Sequence, residues 1–153
     1  MKKRNFAGLF IALTPMMYTH TESGSLHKIQ GIEGHVYRIS GNQMPSPDIK
    51  PTPPKGTKTI LYIFDLTNLS QTTRQGQSSF YLAVKTKLVK KVETDTTGYF
   101  KVKLPVGQYS LFTKKDTLFY ANWFDGKNNI APVQVLPQKL SRVEVKIDYD
   151  AYY

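Results

Sequence analysis

The chain has three histidines, His20, His27 and His35, and no cysteine. A zinc or nucleophile site built on imidazole needs partners at fixed spacing, and no His-Glu-x-x-His, His-x-x-Glu or Gly-x-Ser-x-Gly occurs. No phosphate-cradling glycine loop ends in Lys-Ser or Lys-Thr either. The missing cysteines exclude disulfides, thiolate nucleophiles, Cys-based zinc or iron–sulfur centres and a lipid-modified cysteine. Asp65, Asp95, Asp116, Asp125, Asp148 and Asp150 are scattered, and nothing in their spacing predicts a carboxylate pair. Asp125-Gly126-Lys127-Asn128-Asn129 lacks the ladder of acids and the closing Glu of a calcium loop, so it reads as a turn. His35 faces away from Val36 on a first strand and reads as a surface or hydrogen-bonded histidine. No catalytic residue, metal or cofactor is expected, and a Lys–Asn isopeptide bond is disfavoured because no pair is evidently core-facing.

Two features are candidates for binding. Tyr120, Trp123, Phe124 and Asp125 lie in one aromatic segment, Phe119 to Asp125, where rings beside Asn122 and Asp125 suit stacking on a sugar or a partner side chain. The competing expectation is that these rings fold back and cap a core. The second feature is a lysine set that includes Lys85, Lys87, Lys90, Lys91, Lys101, Lys103, Lys114 and Lys115. If the turn at Thr96 to Gly98 closes a hairpin, Lys90 and Lys103 lie opposite each other on one face. Such a face attracts phosphates, acidic polysaccharide or an anionic membrane surface. A solvated lysine face that protects strand edges is the alternative.

Strands must position these groups, because no segment after residue 25 keeps a helical period. Val143, Val145, Ile147 and Tyr149 alternate with Arg142, Glu144, Lys146 and Asp148, a clean period of two. Thr59 to Asp65 is apolar on both faces and reads as a buried central strand. Phe100, Val102 and Leu104 point one way while Tyr99, Lys101 and Lys103 point the other. Ser40 to Gly56, rich in proline, and the polar stretch Asn68 to Ser79 read as two long loop insertions. About seven strands result, at the spacing of a β-sandwich.

Composition bounds the rest. The 153 residues suit one domain, with 40% hydrophobic and 21% charged side chains. Lys and Arg number 21 against 11 acids, a net charge of +10. Lys2-Lys3-Arg4 followed by the apolar run Phe6 to Leu13 and a polar stretch has the layout of a secretory signal peptide, expected to cover residues 1–24, and the run is too short to span a bilayer. Removing Lys2, Lys3, Arg4 and Glu22 leaves 18 bases against 10 acids in the domain at 25–153. A periplasmic or extracellular location follows as the expectation. An unexported, frayed N-terminus is the alternative.

The run Thr94-Asp95-Thr96-Thr97-Gly98-Tyr99-Phe100 through Leu104-Pro105-Val106-Gly107-Gln108-Tyr109 resembles the Thr-Asp-x-x-Gly-x-Phe…Leu-Pro-x-Gly-x-Tyr signature of carboxypeptidase regulatory-like domains. Gly31-Ile32-Glu33-Gly34-His35-Val36 resembles the family's first strand, and the likeness covers roughly Gly31 to Tyr149. It implies a small, all-β, Greek-key, transthyretin-like sandwich of the kind found in exported bacterial proteins. In that frame Asp95 accepts turn amides, Gly98 supplies a left-handed turn residue, and Leu104 and Pro105 end a strand. Gly107 permits positive φ, and the Tyr109 hydroxyl bonds back to nearby backbone as a tyrosine corner.

The leading functional expectation is a non-enzymatic, exported binding or structural module at the bacterial envelope. Its partner would be an envelope protein or polysaccharide. A carbohydrate or anionic-polymer binder is the alternative, and an unrecognised hydrolase with a site between the two insertions is the third. Nucleic acid fits poorly because no recognition helix or stacking motif is present.

Overall fold

The computed structural model describes residues 29–45, 47–48 and 50–153. The expected signal segment, with His20 and His27, lies outside them. Eleven strands form two sheets, with no α-helix among the described residues. In chain order they are β1 (Gly31–Asn42), β2 (Lys55–Gly56), β3 (Ile60–Asp65), β4 (Thr72–Arg74), β5 (Phe80–Val84), β6 (Leu88–Glu93), β7 (Tyr99–Lys103), β8 (Gly107–Lys115), β9 (Leu118–Tyr120), β10 (Pro132–Val135) and β11 (Leu140–Tyr152). No helix is long and apolar enough to cross a membrane among these residues.

The small sheet is built on β1. One side of β1 pairs in parallel with β11 along nearly its whole length, and the other side pairs with β7 and then β2. The large sheet runs β4-β5-β9-β8-β3-β6, with β10 also on β8. Alternation sorts each strand's side chains onto two faces. Ile32, Val36, Phe100, Val102 and Ile147 of the small sheet, with Leu61, Ile63, Tyr109 and Leu111 of the large one, are buried in the core.

The large sheet's second face is largely covered too, with Phe64, Tyr81 and Phe112 buried and Tyr62 and Phe119 half-buried. Tyr62 and Phe112 are register partners, as are Tyr81 and Phe119, so the same face carries all four with Phe64. Phe64, Phe112 and Phe119 meet edge to face, and Tyr81 meets Phe112 the same way. The Thr67 amide donates to Ser110 Oγ at 2.9 Å, which lays the chain after β3 over this face. This explains why β3 and β8 read as apolar on both faces: each is covered twice.

Several sequence expectations change, among them the loop expected from Ser40 to Gly56, whose two ends are strand: β1 continues to Asn42, and β2 at Lys55–Gly56 pairs back onto β1. The strand count rises because β2, β4 and β9 are too short to show a period, and Phe80 to Val92 splits into β5 and β6 around Lys85–Lys87. The stretch Asn68 to Ser79 is not a plain loop. Asn68 and Gln71 form a capping box around a 3₁₀ turn at Leu69–Gln71, and β4 then pairs with β5.

The run from Thr94 to Tyr109 is a set of folding devices. Asp95 accepts hydrogen bonds from the Thr97 amide at 2.8 Å, the Thr97 hydroxyl at 2.6 Å and the Tyr99 amide at 3.0 Å. The Thr97 hydroxyl foremost holds the Asp95 carboxyl below its ordinary range. Gly98 sits at φ +82°, and a Cβ there would lie 2.2 Å from the Val36 carbonyl. The Tyr109 hydroxyl donates to the Pro105 carbonyl at 2.9 Å. Gly107, expected at positive φ, is not left-handed: among the described residues Gly31, Gly41, Gly76 and Gly98 are the glycines that are. The corner closes through the Tyr109 ring and hydroxyl instead. Buried Thr94 adds a tie not foreseen, donating to the Thr57 carbonyl and accepting from the Thr59 amide, each at 2.8 Å.

Candidate functional site

The sequence-derived candidates do not converge. The turn after Thr94 passes from one sheet to the other, because β6 pairs with β3 and β7 pairs with β1. Lys90 therefore stands opposite Ile63 and Lys103 opposite Gly31, and the expected facing pair does not form. Lys90 shares the face of a core residue on the edge strand β6 yet remains exposed, an arrangement that resists edge-to-edge pairing.

The aromatic segment is divided as well. Tyr120 is only 3% exposed, and its hydroxyl donates to Asp148. Burial foremost, then that carboxylate, pushes the Tyr120 hydroxyl far above its ordinary value. Phe124 is half-buried, with the Arg74 guanidinium 5.9 Å from its ring centroid. The Asp125 carboxylate accepts from the Lys127 and Asn129 amides and from Asn129 Nδ2, all at 2.8–2.9 Å. It is thereby committed to its own turn. Trp123 alone stays open, at 45% exposure, beside Ala131, Val143 and Val145, where it shields the gap between the sheets.

The structure gathers a different set of groups on the outward face of the small sheet. Ile32, Gly34 and Val36 point inward, so alternation turns Glu33, His35 and Tyr37 outward along β1. Register then builds rows across the sheet. His35 stands between Tyr99 on β7 and Glu144 on β11, Glu33 stands between Lys101 and Arg142, and Tyr37 lies beside Lys146. The His35 and Tyr37 rings stack at 5.7 Å with 16° between their planes, and Tyr99 tilts against His35 at 5.3 Å.

Charge brackets these rings. The Tyr99 hydroxyl donates to Glu33 Oε2 at 3.3 Å, and Arg142 Nε lies 3.5 Å from Glu33 Oε1. Burial foremost, then Glu33, raises the Tyr99 hydroxyl above its ordinary value, so it is a neutral donor. Glu33, Gly34, His35, Tyr99, Arg142 and Glu144 together line a shallow depression of about 370 Å³. Gly34 sets its floor: a Cβ there would fall 1.7 Å from the Val143 carbonyl, so only glycine lets β1 and β11 approach this closely.

This arrangement offers ring faces for stacking, a guanidinium and lysines for anions, and two carboxylates that accept hydroxyl hydrogen bonds. Among the described residues no cluster of three His, Asp or Glu side chains could hold a metal ion. Sequence reasoning placed His35 on a surface but missed Glu33, Tyr37, Tyr99, Arg142 and Glu144 as its neighbours. The available signal was the alternation of polar and aromatic residues opposite Ile32, Gly34 and Val36. The pairing of β1 with a strand more than a hundred residues away was not legible. Comparison with protein-family models, with curated proteins and with solved structures returns no match for this chain.

Proposed function

We propose that this protein is a non-enzymatic, exported β-sandwich module that binds at the bacterial envelope, and that it binds through the outward face of the small sheet. The observation that carries this reading is the open row Tyr99–His35–Glu144, flanked by Tyr37, Glu33 and Arg142. Its groups bind by stacking and charge, and none of their rings belongs to the buried core: Tyr99 is exposed, and His35 and Tyr37 are half-buried. The signal-like layout of residues 1–24 supports export. The Thr94 to Tyr109 motif, with its capped turn and tyrosine corner, supports a relationship to transthyretin-like carboxypeptidase regulatory domains.

The ligand class favoured by this surface is carbohydrate, including acidic polysaccharide. Sugar rings stack on aromatic faces, their hydroxyls satisfy Glu33 and Glu144, and uronate or phosphate groups pair with Arg142 and Lys146. A panel of neutral and acidic cell-wall polysaccharides, read at low and moderate salt, tests this. Binding is expected to be lost in Tyr99→Ala and kept in Trp123→Ala. The reverse pattern moves the site to the Trp123 segment, and no binding by the unaltered protein overturns the carbohydrate assignment. Cell fractionation with N-terminal sequencing checks export: a cytoplasmic protein that retains Met1 contradicts it.

A further inference from the structure

We propose that β11 is a self-complementary edge through which two copies of this chain pair antiparallel, joining their small sheets into one. Strand β11 runs from Leu140 to Tyr152 and ends the small sheet, so alternate backbone N–H and C=O groups point away from β1. The Tyr120 hydroxyl accepts from the Asp148 amide, which leaves Leu140 to Ile147 as the open length of this edge. Among the described residues no strand pairs with that side. Its outward side chains Arg142, Glu144 and Lys146 are exposed and alternate in sign.

Alternating charge usually blunts an edge, because most registers set like charges opposite each other. Here two registers do the reverse. An axis through Val143 sets Arg142 opposite the partner's Glu144 but leaves Lys146 opposite the partner's Leu140, so only the axis through Val145 pairs both Glu144 and Lys146 with opposite charge. A two-fold axis through Val145 places Glu144 opposite the partner's Lys146, Lys146 opposite the partner's Glu144, and Val143 opposite the partner's Ile147. Moving the axis to Glu144 sets that residue against itself and Arg142 against the partner's Lys146. Moving it to Lys146 sets two lysines together. Shifts that place the axis between residues turn inward side chains outward. Exposed Trp123 supports the same assignment, since it lies beside Val143, Val145 and Lys146, where a neighbouring copy would cover it.

Such an axis is perpendicular to the sheet, so the outward faces of both copies look the same way. The row Tyr99–His35–Glu144 then continues through the partner's Lys146 to the partner's Tyr37. The two β1 strands lie three strand spacings apart, about 14 Å. One long polymer could engage both copies, which raises avidity without new contacts. The pairing itself does not depend on what the surface binds.

Sedimentation velocity on the purified full chain over a wide concentration range tests the proposal. A monomer–dimer equilibrium that weakens with salt is expected. Glu144→Lys alone or Lys146→Glu alone should each weaken dimerisation roughly tenfold or more, by turning two attractive pairs repulsive. Mixing the two single variants should give a heterodimer, and the double exchange Glu144→Lys/Lys146→Glu should restore the homodimer. Circular dichroism checks that each variant folds. A protein that stays monomeric at every concentration overturns the proposal, as does a dimer indifferent to the single changes. Failure of both the mixture and the double exchange to recover dimer also overturns it, whatever the single variants do.

Discussion

The two sheets carry similar chemistry on the faces they turn away from each other, and they use it in opposite ways. On the large sheet, Tyr62, Phe64, Phe112, Phe119 and Tyr81 interlock edge to face, with Phe112 at 0% exposure. Lys91 and Lys114 lie over the Tyr62 ring at 5.4 and 5.1 Å, their ammonium groups against its π-face. On the small sheet, His35 touches both Tyr37 and Tyr99; Tyr99 is exposed and the other two rings half-buried, and Glu33, Arg142 and Glu144 surround them. The difference lies in what passes overhead. The chain at Thr67 is tied to Ser110 on the large sheet, and Phe64, Tyr81 and Phe112 are buried in the core with Tyr62 and Phe119 half-buried against it. An aromatic residue on a strand is thus left at the surface or drawn into packing according to which connections cross it.

The sharpest break in this comparison is Phe112→Ala, which leaves a cavity beneath rings from three neighbouring strands. It should cost about 3–5 kcal/mol in chemical denaturation, whereas a cost near 1 kcal/mol would mean the face is loosely packed. Tyr109→Phe removes one hydrogen bond and leaves the Pro105 carbonyl unpaired, so a loss of about 1–2 kcal/mol is expected. Tyr99→Ala should change stability by about 0.5 kcal/mol or less while abolishing ligand binding. A large stability loss there would make the small sheet's rings structural, like those of the large sheet.

The smallest effect concerns acid. Asp95, Asp125 and Asp150 are all held below the ordinary carboxylate range. The leading causes are the Thr97 hydroxyl, the Asn129 side chain and Arg38 respectively. Their folded values lie below their unfolded ones, so their stabilisation is full above about pH 4 and fades as pH falls through the lowered values. Thermal scans between neutral pH and strongly acidic pH should show melting temperature dropping at the acidic end. Asp95→Asn should flatten that drop by lowering the neutral melting temperature slightly, with the strongly acidic value left nearly unchanged. An unchanged acid slope would remove Asp95 from the account.

Much of the sandwich was legible because it depends on local patterns. The period of two in Val143 to Tyr149, the doubly apolar Ile60 to Phe64 and the turn chemistry of Asp95 and Gly98 each act within a few residues. The Tyr109 corner closes over four residues and could be anticipated for the same reason. What could not be read depends on pairing. Nothing near Lys90 signals that the turn beyond it changes sheets, so its expected partner Lys103 went to β1 instead. Glu33 and Glu144 become neighbours only because β1 and β11 meet in parallel across almost the whole chain. Trp123 and Tyr120 looked alike in sequence. Tyr120 became buried because strand β9 carries it under Tyr149 and Phe80, 5.0 Å from each.

On the function proposed above, the small sheet's outward face binds ligand while the large sheet's rings pack. Backbone amide chemical-shift mapping, with the tightest-binding polysaccharide from the panel titrated into isotope-labelled protein, tests it most directly. Perturbations are expected at Glu33, His35, Tyr37, Tyr99, Arg142 and Glu144, with the amides of Phe64, Phe112 and Lys91 unmoved. Shifts concentrated on Tyr62, Lys91 and Lys114, or on Trp123, with β1 silent, would contradict it.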